Sequence, residues 1–195
     1  MAMSSNNQIK GKIFVTIIGF VLTGVLGSML SVIFNYMSMV YKDKYDERKA
    51  LREEKKQHIE EIVDLCQQRS FWTQKWWNAV KDNSSNCDDI KKQLDKVVEN
   101  WNLKLLILSI KTRVLVNDKL ALLIIDENTH QGELSSKDDI KCMHAAYLYL
   151  HKRIYNYSSA NSENKKEKEI EIWDLWDKLK SIQLEVYKIC FENYK

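Results

Sequence analysis

No proline interrupts this chain of 195 residues, and of its five glycines four (Gly11, Gly19, Gly24 and Gly27) precede residue 28. Average usage would supply about ten prolines. A chain so poor in breakers cannot make the many turns of a β-sandwich or barrel, nor the glycine-rich loops of a nucleotide-binding α/β fold. Long helices are what remain, so the fold class expected is all-α.

One stretch sets where the chain sits. From Ile13 to Val40 there is no Asp, Glu, Lys, Arg or His. A bilayer core takes about 20 apolar residues at about 1.5 Å each, and this stretch is long enough with some tilt. A buried core helix would carry a polar face, whereas here the polar residues are nearly all Thr, Ser and Gly. A cleaved leader would be shorter and end in a small-residue site; no alanine occurs between Ala2 and Ala50. The expectation is a transmembrane helix over 13–40 after a short polar tail, 1–12, with the lipid bilayer as first partner. Tyr36, Tyr41 and Tyr45, with Lys42 and Lys44, are placed to anchor it at the interface. Gly19, Thr23, Gly27 and Ser31 recur every fourth residue, which sets small side chains on one face where two spans can approach closely. Lys10 and Lys12 precede the span, while Lys42, Lys44, Arg48, Lys49, Arg52, Lys55 and Lys56 follow it. By the positive-inside rule the C-terminal body is cytoplasmic. Four widely spaced cysteines, Cys66, Cys87, Cys142 and Cys190, agree with a reducing compartment.

The remainder is wet, since mean hydropathy is −0.43 despite the apolar stretch. Residues 41–58 read as a charged stalk helix continuous with the span, and 59–195 as an antiparallel bundle of about four helices. Apolar spacing in threes and fours begins at Ile59, Ile62 and Cys66, and continues at Thr73, Trp76 and Val80, with a polar interruption near Arg69. NSSN at 83–86 is a turn. A long helix follows, with Ile90, Leu94, Val97, Trp101, Leu105 and Leu108. A second apolar stripe at Ile107, Ile110, Val114, Ala121 and Ile124 marks it as central and buried. Lys104, Lys111, Arg113, Asp118 and Lys119 exclude a second span, because each charge near a bilayer centre costs about 2.5–3.5 kcal/mol. LLILSI and RVLV favour strands locally, but the period favours helix. The connection at 127–139 contains Gly132 and the capping candidates Ser135 and Ser136. Later helices carry Ile140, Met143, Tyr147, Leu150 and Ile154, then Ile172, Trp176, Leu179, Ile182, Val186 and Ile189, with a polar connector at 158–169. Tryptophans at helical spacing usually go to the core. Trp77 lies one residue off the face shared by Trp72 and Trp76, and is a candidate partner anchor if it stays exposed.

Catalytic templates are missing: there is no G-x-S-x-G, P-loop, H-E-x-x-H or C-x-x-C. A di-iron bundle needs two Glu-x-x-His pairs, and only Glu127/His130 fits. Cys142, His144 and His151 form the one His/Cys cluster, without paired-ligand spacing. No cofactor, metal or catalytic residue is expected. Thirty basic residues against 27 acidic give a net charge of +3 and no nucleic-acid footprint. The expected function is a non-enzymatic, single-pass, membrane-anchored interaction, scaffold or regulatory subunit. It would meet a protein partner or a second copy through span and bundle. Alternatives are a membrane-perturbing effector, holin-like or toxin-like, and a membrane-tethered sensor.

Overall fold

A computed structural model describes residues 4–126 and 140–194. Five helices follow in order: α1 (Ser4–Lys81), α2 (Cys87–Leu115), α3 (Asp118–Ile124), α4 (Met143–Ser158) and α5 (Ser162–Asn193). Among the described residues there is no strand, and LLILSI lies wholly within α2. Gly132, the caps at Ser135 and Ser136, and the Glu127/His130 pair lie outside the described residues.

The helix ends follow local chemistry. α1 starts at Ser4, so most of the polar tail is helical, and without Pro or an interior breaker after Gly27 it runs unbroken to Lys81. The turn after it is carried by Asn83, whose φ of 50° is left-handed. Asparagine tolerates that region better than branched residues do. Asp88 and Asp89 then occupy the first turn of α2, facing its positive end. The long central helix is not continuous. Val116 leaves helical geometry, and the Asn117 side chain caps α3 by accepting from the Leu120 amide at 2.8 Å. At the other end of the chain, α5 begins at Ser162, so the 158–169 segment joins the last helix nearer its start than its end.

The chain divides into two compact units, Met1–Arg52 and Glu53–Lys195, and α1 contributes to both. The first is a single helix. The second has one apolar core, built from the C-terminal part of α1 together with α2, α3, α4 and α5. α4 packs along α5, and α3 contacts α2, α4 and α5. Ile62, Leu94, Leu120, Ile140, Leu150, Ile154, Ile172, Leu179 and Val186 are completely buried. Each contributes roughly 1.5–3 kcal/mol by leaving water. Ion pairs join helices at the surface, among them Lys104–Glu61 at 2.7 Å and Arg153–Glu171 at 3.2 Å. Exposed pairs of this kind add at most about 1 kcal/mol each.

Candidate functional site

The first unit presents one long apolar surface. The most apolar window of α1 is long enough to cross a bilayer, and none of it is buried. A core helix is therefore excluded for residues 13–40 as far as this chain's own contacts go. Two of its hydroxyls are satisfied within the helix. Thr23 donates to the Gly19 carbonyl at 2.6 Å, and Ser28 donates to Val25 at 2.8 Å. Such internal bonding is what a hydroxyl needs where no water is present. Gly19, Thr23, Gly27 and Ser31 are all exposed. A Cβ added at Gly19, Gly24 or Gly27 would meet no heavy atom within 4 Å. Among the described residues nothing covers that face. Of the expected interface residues, Tyr36, Tyr41 and Lys44 line one shallow depression with Met37 and Val40. Lys42 and Tyr45 are exposed outside it.

Trp77 corrects the sequence reading. It is 0 % exposed, with its ring edge-on to Tyr157 at 4.9 Å and to Trp173 at 6.4 Å. One residue off the Trp76 face is still inside the bundle, because α4 and α5 cover an arc of α1 wide enough for both indoles. Trp77 is thus a packing residue and not an exposed anchor.

A polar layer crosses the core of the second unit. Arg69 is 2 % exposed, on the same three-and-four spacing as Cys66 and Thr73. Its guanidinium lies 4.9 Å from the Tyr147 ring centroid and 5.4 Å from that of Trp101. Nε and Nη1 have no hydrogen-bond partner among the described residues. Burial pulls its pKa down to about 10, so it remains charged at neutral pH. Beside it, the Gln183 amide donates to Tyr147 Oη at 2.9 Å and to Ser70 Oγ. Tyr147 Oη lies 2.6 Å from Ser70 Oγ and donates to the Cys66 carbonyl at 3.1 Å. Burial raises the Tyr147 pKa well above the usual phenol range, so the hydroxyl stays protonated as this network requires. Thr112 spends its proton on Leu108 O at 2.7 Å, so the His58 Nε2 proton supplies the 2.9 Å bond to Thr112.

The His/Cys cluster of the sequence is dispersed into this packing. Cys142 is the N-cap residue of α4. His144 Nδ1 accepts from Trp101 Nε1 at 3.3 Å, and His151 lies against Trp76 with centroids 4.7 Å apart. Among the described residues no three His, Cys, Asp or Glu side chains gather where a metal ion would fit.

Two exposed features were missed from the sequence. Of the second apolar stripe, Ala121 and Ile124 are buried in α3, but Ile107, Ile110 and Val114 on α2 are exposed together with Leu103 and Leu106, all five at 56–79 %. The opposite face, with Trp101, Leu105, Leu108 and Thr112, fills the core instead. Among the described residues no further helix covers both faces. The signal was present, since Asn117–Asp118 is a cap-and-acid start that ends the central helix early. The second feature is an open groove of about 450 Å³ between α1 and α5. Ile59, Val63, Tyr187 and Phe191 make its apolar part, and Glu60 and Asp64 supply its carboxylates. Tyr194 Oη donates to Glu60 at 2.6 Å at one end of it.

Comparison of the chain with family models, with curated proteins and with solved structures gives no match.

Proposed function

We infer that this chain is a single-pass membrane protein whose helical unit serves as a non-catalytic interaction or scaffold module, a regulatory subunit of a membrane-bound assembly. The observation that carries this reading is the uncharged, wholly exposed window of α1, in which the Thr23 and Ser28 hydroxyls bond to their own helix. In water such a surface is a liability; in hydrocarbon it is at home. The bare Gly19/Thr23/Gly27/Ser31 face is the contact through which a second span, from another copy or a partner, would pack. The excess of Lys and Arg after the span supports a cytoplasmic helical unit, arranged as an antiparallel bundle.

The test uses the full chain in its native membrane. Alkaline carbonate washing should leave it in the pellet. Extraction into mild detergent followed by cross-linking should give a band larger than one chain. Release by carbonate sinks the anchor, and a strictly monomeric protein with no cross-linked partner sinks the interaction role. A second reading, a membrane-tethered sensor, is supported by the α1/α5 groove, whose aromatic walls and paired carboxylates suit a small cationic ligand.

A further inference from the structure

Glu60 and Asp64 are the only charged residues lining the groove of about 450 Å³ between α1 and α5. Its volume falls within the roughly 300–1,000 Å³ of small-molecule sites. Tyr187 and Cys190, in the same lining, stay neutral near pH 7, because burial pushes the phenol up to about 12 and the thiol up to about 11. Other acids that reach a neighbouring helix meet cations there: Glu61 meets Lys104, Glu169 meets Lys81 and Glu171 meets Arg153. Those of the groove do not. Asp64 accepts from Gln68 at 2.8 Å and Glu60 from Tyr194 at 2.6 Å, both uncharged donors. Each bond uses one oxygen, Asp64 Oδ2 and Glu60 Oε1; among the described residues the other oxygen of each accepts nothing. Lys56 stands one turn before Glu60, yet its ammonium lies over the Tyr194 ring, 5.1 Å from the centroid, rather than in an ion pair with Glu60.

The two carboxylates are four residues apart on α1, one helical turn, where like charges destabilise a helix. A single cation set between them relieves both. Its kind follows from the surroundings. A bound Ca²⁺ takes more oxygen ligands than two carboxylates supply, and among the described residues no third His, Cys, Asp or Glu joins them. The remaining walls, chiefly Ile59, Val63, Tyr187 and Phe191, are aliphatic and aromatic. They suit a carbon body, and the aromatic rings attract its positive charge. Carboxylate oxygens with lone pairs to spare bond most strongly to charged N–H donors. A protonated primary or secondary amine therefore fits better than a quaternary ammonium.

We propose that the α1/α5 groove binds a small organic amine in its protonated form, the ammonium held between Glu60 and Asp64 and the apolar body against Tyr187 and Phe191. The proposal rests on the sensor reading of this groove and names its ligand class. All the residues involved belong to the helical unit, so the site needs nothing from the span.

The experiment is equilibrium dialysis of the full chain in a neutral detergent at pH 7, measured against protein-free micelles. The probe is 2-naphthylmethylamine, and 2-naphthylmethanol is its uncharged twin. The chain should retain the amine about ten times more tightly than the alcohol, with the N-trimethylated amine between them. Glu60→Gln with Asp64→Asn should bring the amine down to the level of the alcohol, helicity being unchanged because both side chains are exposed. Glu99→Gln with Glu167→Gln makes the same change of net charge at exposed positions that do not line the groove, and should leave retention as it was. Phe191→Ala should weaken amine and alcohol alike. No retention of the amine overturns the proposal, and so do equal losses in the two charge variants, the attraction then being one of net charge. Binding that appears only on dilution below the concentration at which copies cross-link overturns it too, because a second chain then fills the groove. Equal retention of amine and alcohol, both lowered by Phe191→Ala, overturns the cationic ligand and leaves the groove as a sensor's site. Cross-linking with and without the amine reads the sensor role separately: binding with an unchanged pattern defeats the sensor and upholds the site.

Discussion

Two apolar stretches of α1 behave in opposite ways. Between residues 13 and 40 nearly every side chain is exposed, and no direction around the helix differs from another. Between Ile59 and Val80 burial is confined to one face: Ile59, Ile62, Cys66, Thr73 and Trp76 are buried while Glu60, Asp64, Gln67 and Gln74 are exposed. Helix formation is common to both, and what differs is the solvent each is written for. A one-sided stripe is an instruction to pack on protein; an apolar surface all the way round has no protein face and calls for hydrocarbon. The comparison can be broken from either side. Trp77→Ala empties a fully enclosed site in the periodic stretch, and the expected cost is about 3–5 kcal/mol. It should appear as a lower denaturation midpoint of the detergent-solubilised chain, with membrane retention untouched. Val25→Arg attacks the uniform stretch. A charge near the bilayer centre costs about 2.5–3.5 kcal/mol on the insertion scale, so the carbonate-resistant fraction should fall while the denaturation midpoint stays in place. If either variant moves both readouts, the two stretches are not independent.

Arg69 sharpens the comparison, because it is a charge placed inside the periodic stretch. Among the described residues its neighbours supply ring faces and no ion pair with a carboxylate. A desolvated cation–π contact is worth about 2 kcal/mol, whereas the effective penalty for burying an ion is several kcal/mol. Burial should win. Arg69→Met keeps the length and the packing against Trp101 and Tyr147 and removes the charge, so it should stabilise the helical unit by about 1–3 kcal/mol in denaturant unfolding. A loss of stability would mean that the two rings hold the guanidinium more strongly than water does.

How far the chain could be read without coordinates follows from the same physics. Uniform apolarity over 13–40 and the buried positions of α5, from Ile172 to Ile189, were legible because each is a property of one helix alone. Trp77 and the α2 stripe were not, because burial there is decided by how many neighbours a helix has. Sequence periodicity shows which residues are apolar; it does not count the helices available to cover them. Arg69 lay between the two cases. Its spacing from Cys66 and Thr73 placed it on the core face, but its charge marked a polar interruption there. The α1/α5 groove had no local signal at all, since its walls come from residues more than a hundred positions apart.

The smallest expected effect concerns pH, and it separates the two units again because only the second holds buried histidines. Burial lowers the pKa of His58 from its ordinary 6.5, with Lys111 adding to the effect and Glu61 and Glu54 opposing it. Burial also lowers that of His151, and Arg69 acts in the same direction. Above about pH 6.5 both rings are neutral in folded and unfolded chains, so they add no pH dependence. As pH falls below 6.5 the unfolded chain takes up protons first. Stability therefore drops on acidification, and the drop ends only when the folded rings protonate at their lowered pKa. The slope is at most about 1.4 kcal/mol per pH unit for each histidine. The denaturation midpoint should thus be lower near pH 5.5 than near pH 7.5, a window above the ordinary carboxylate range. His58→Gln keeps a donor for Thr112, and His151→Phe keeps a ring against Trp76. Together they should flatten the dependence between those two pH values. If the double variant still loses stability there, the acid sensitivity belongs to other groups, and the histidines are packing residues whose protonation the fold tolerates.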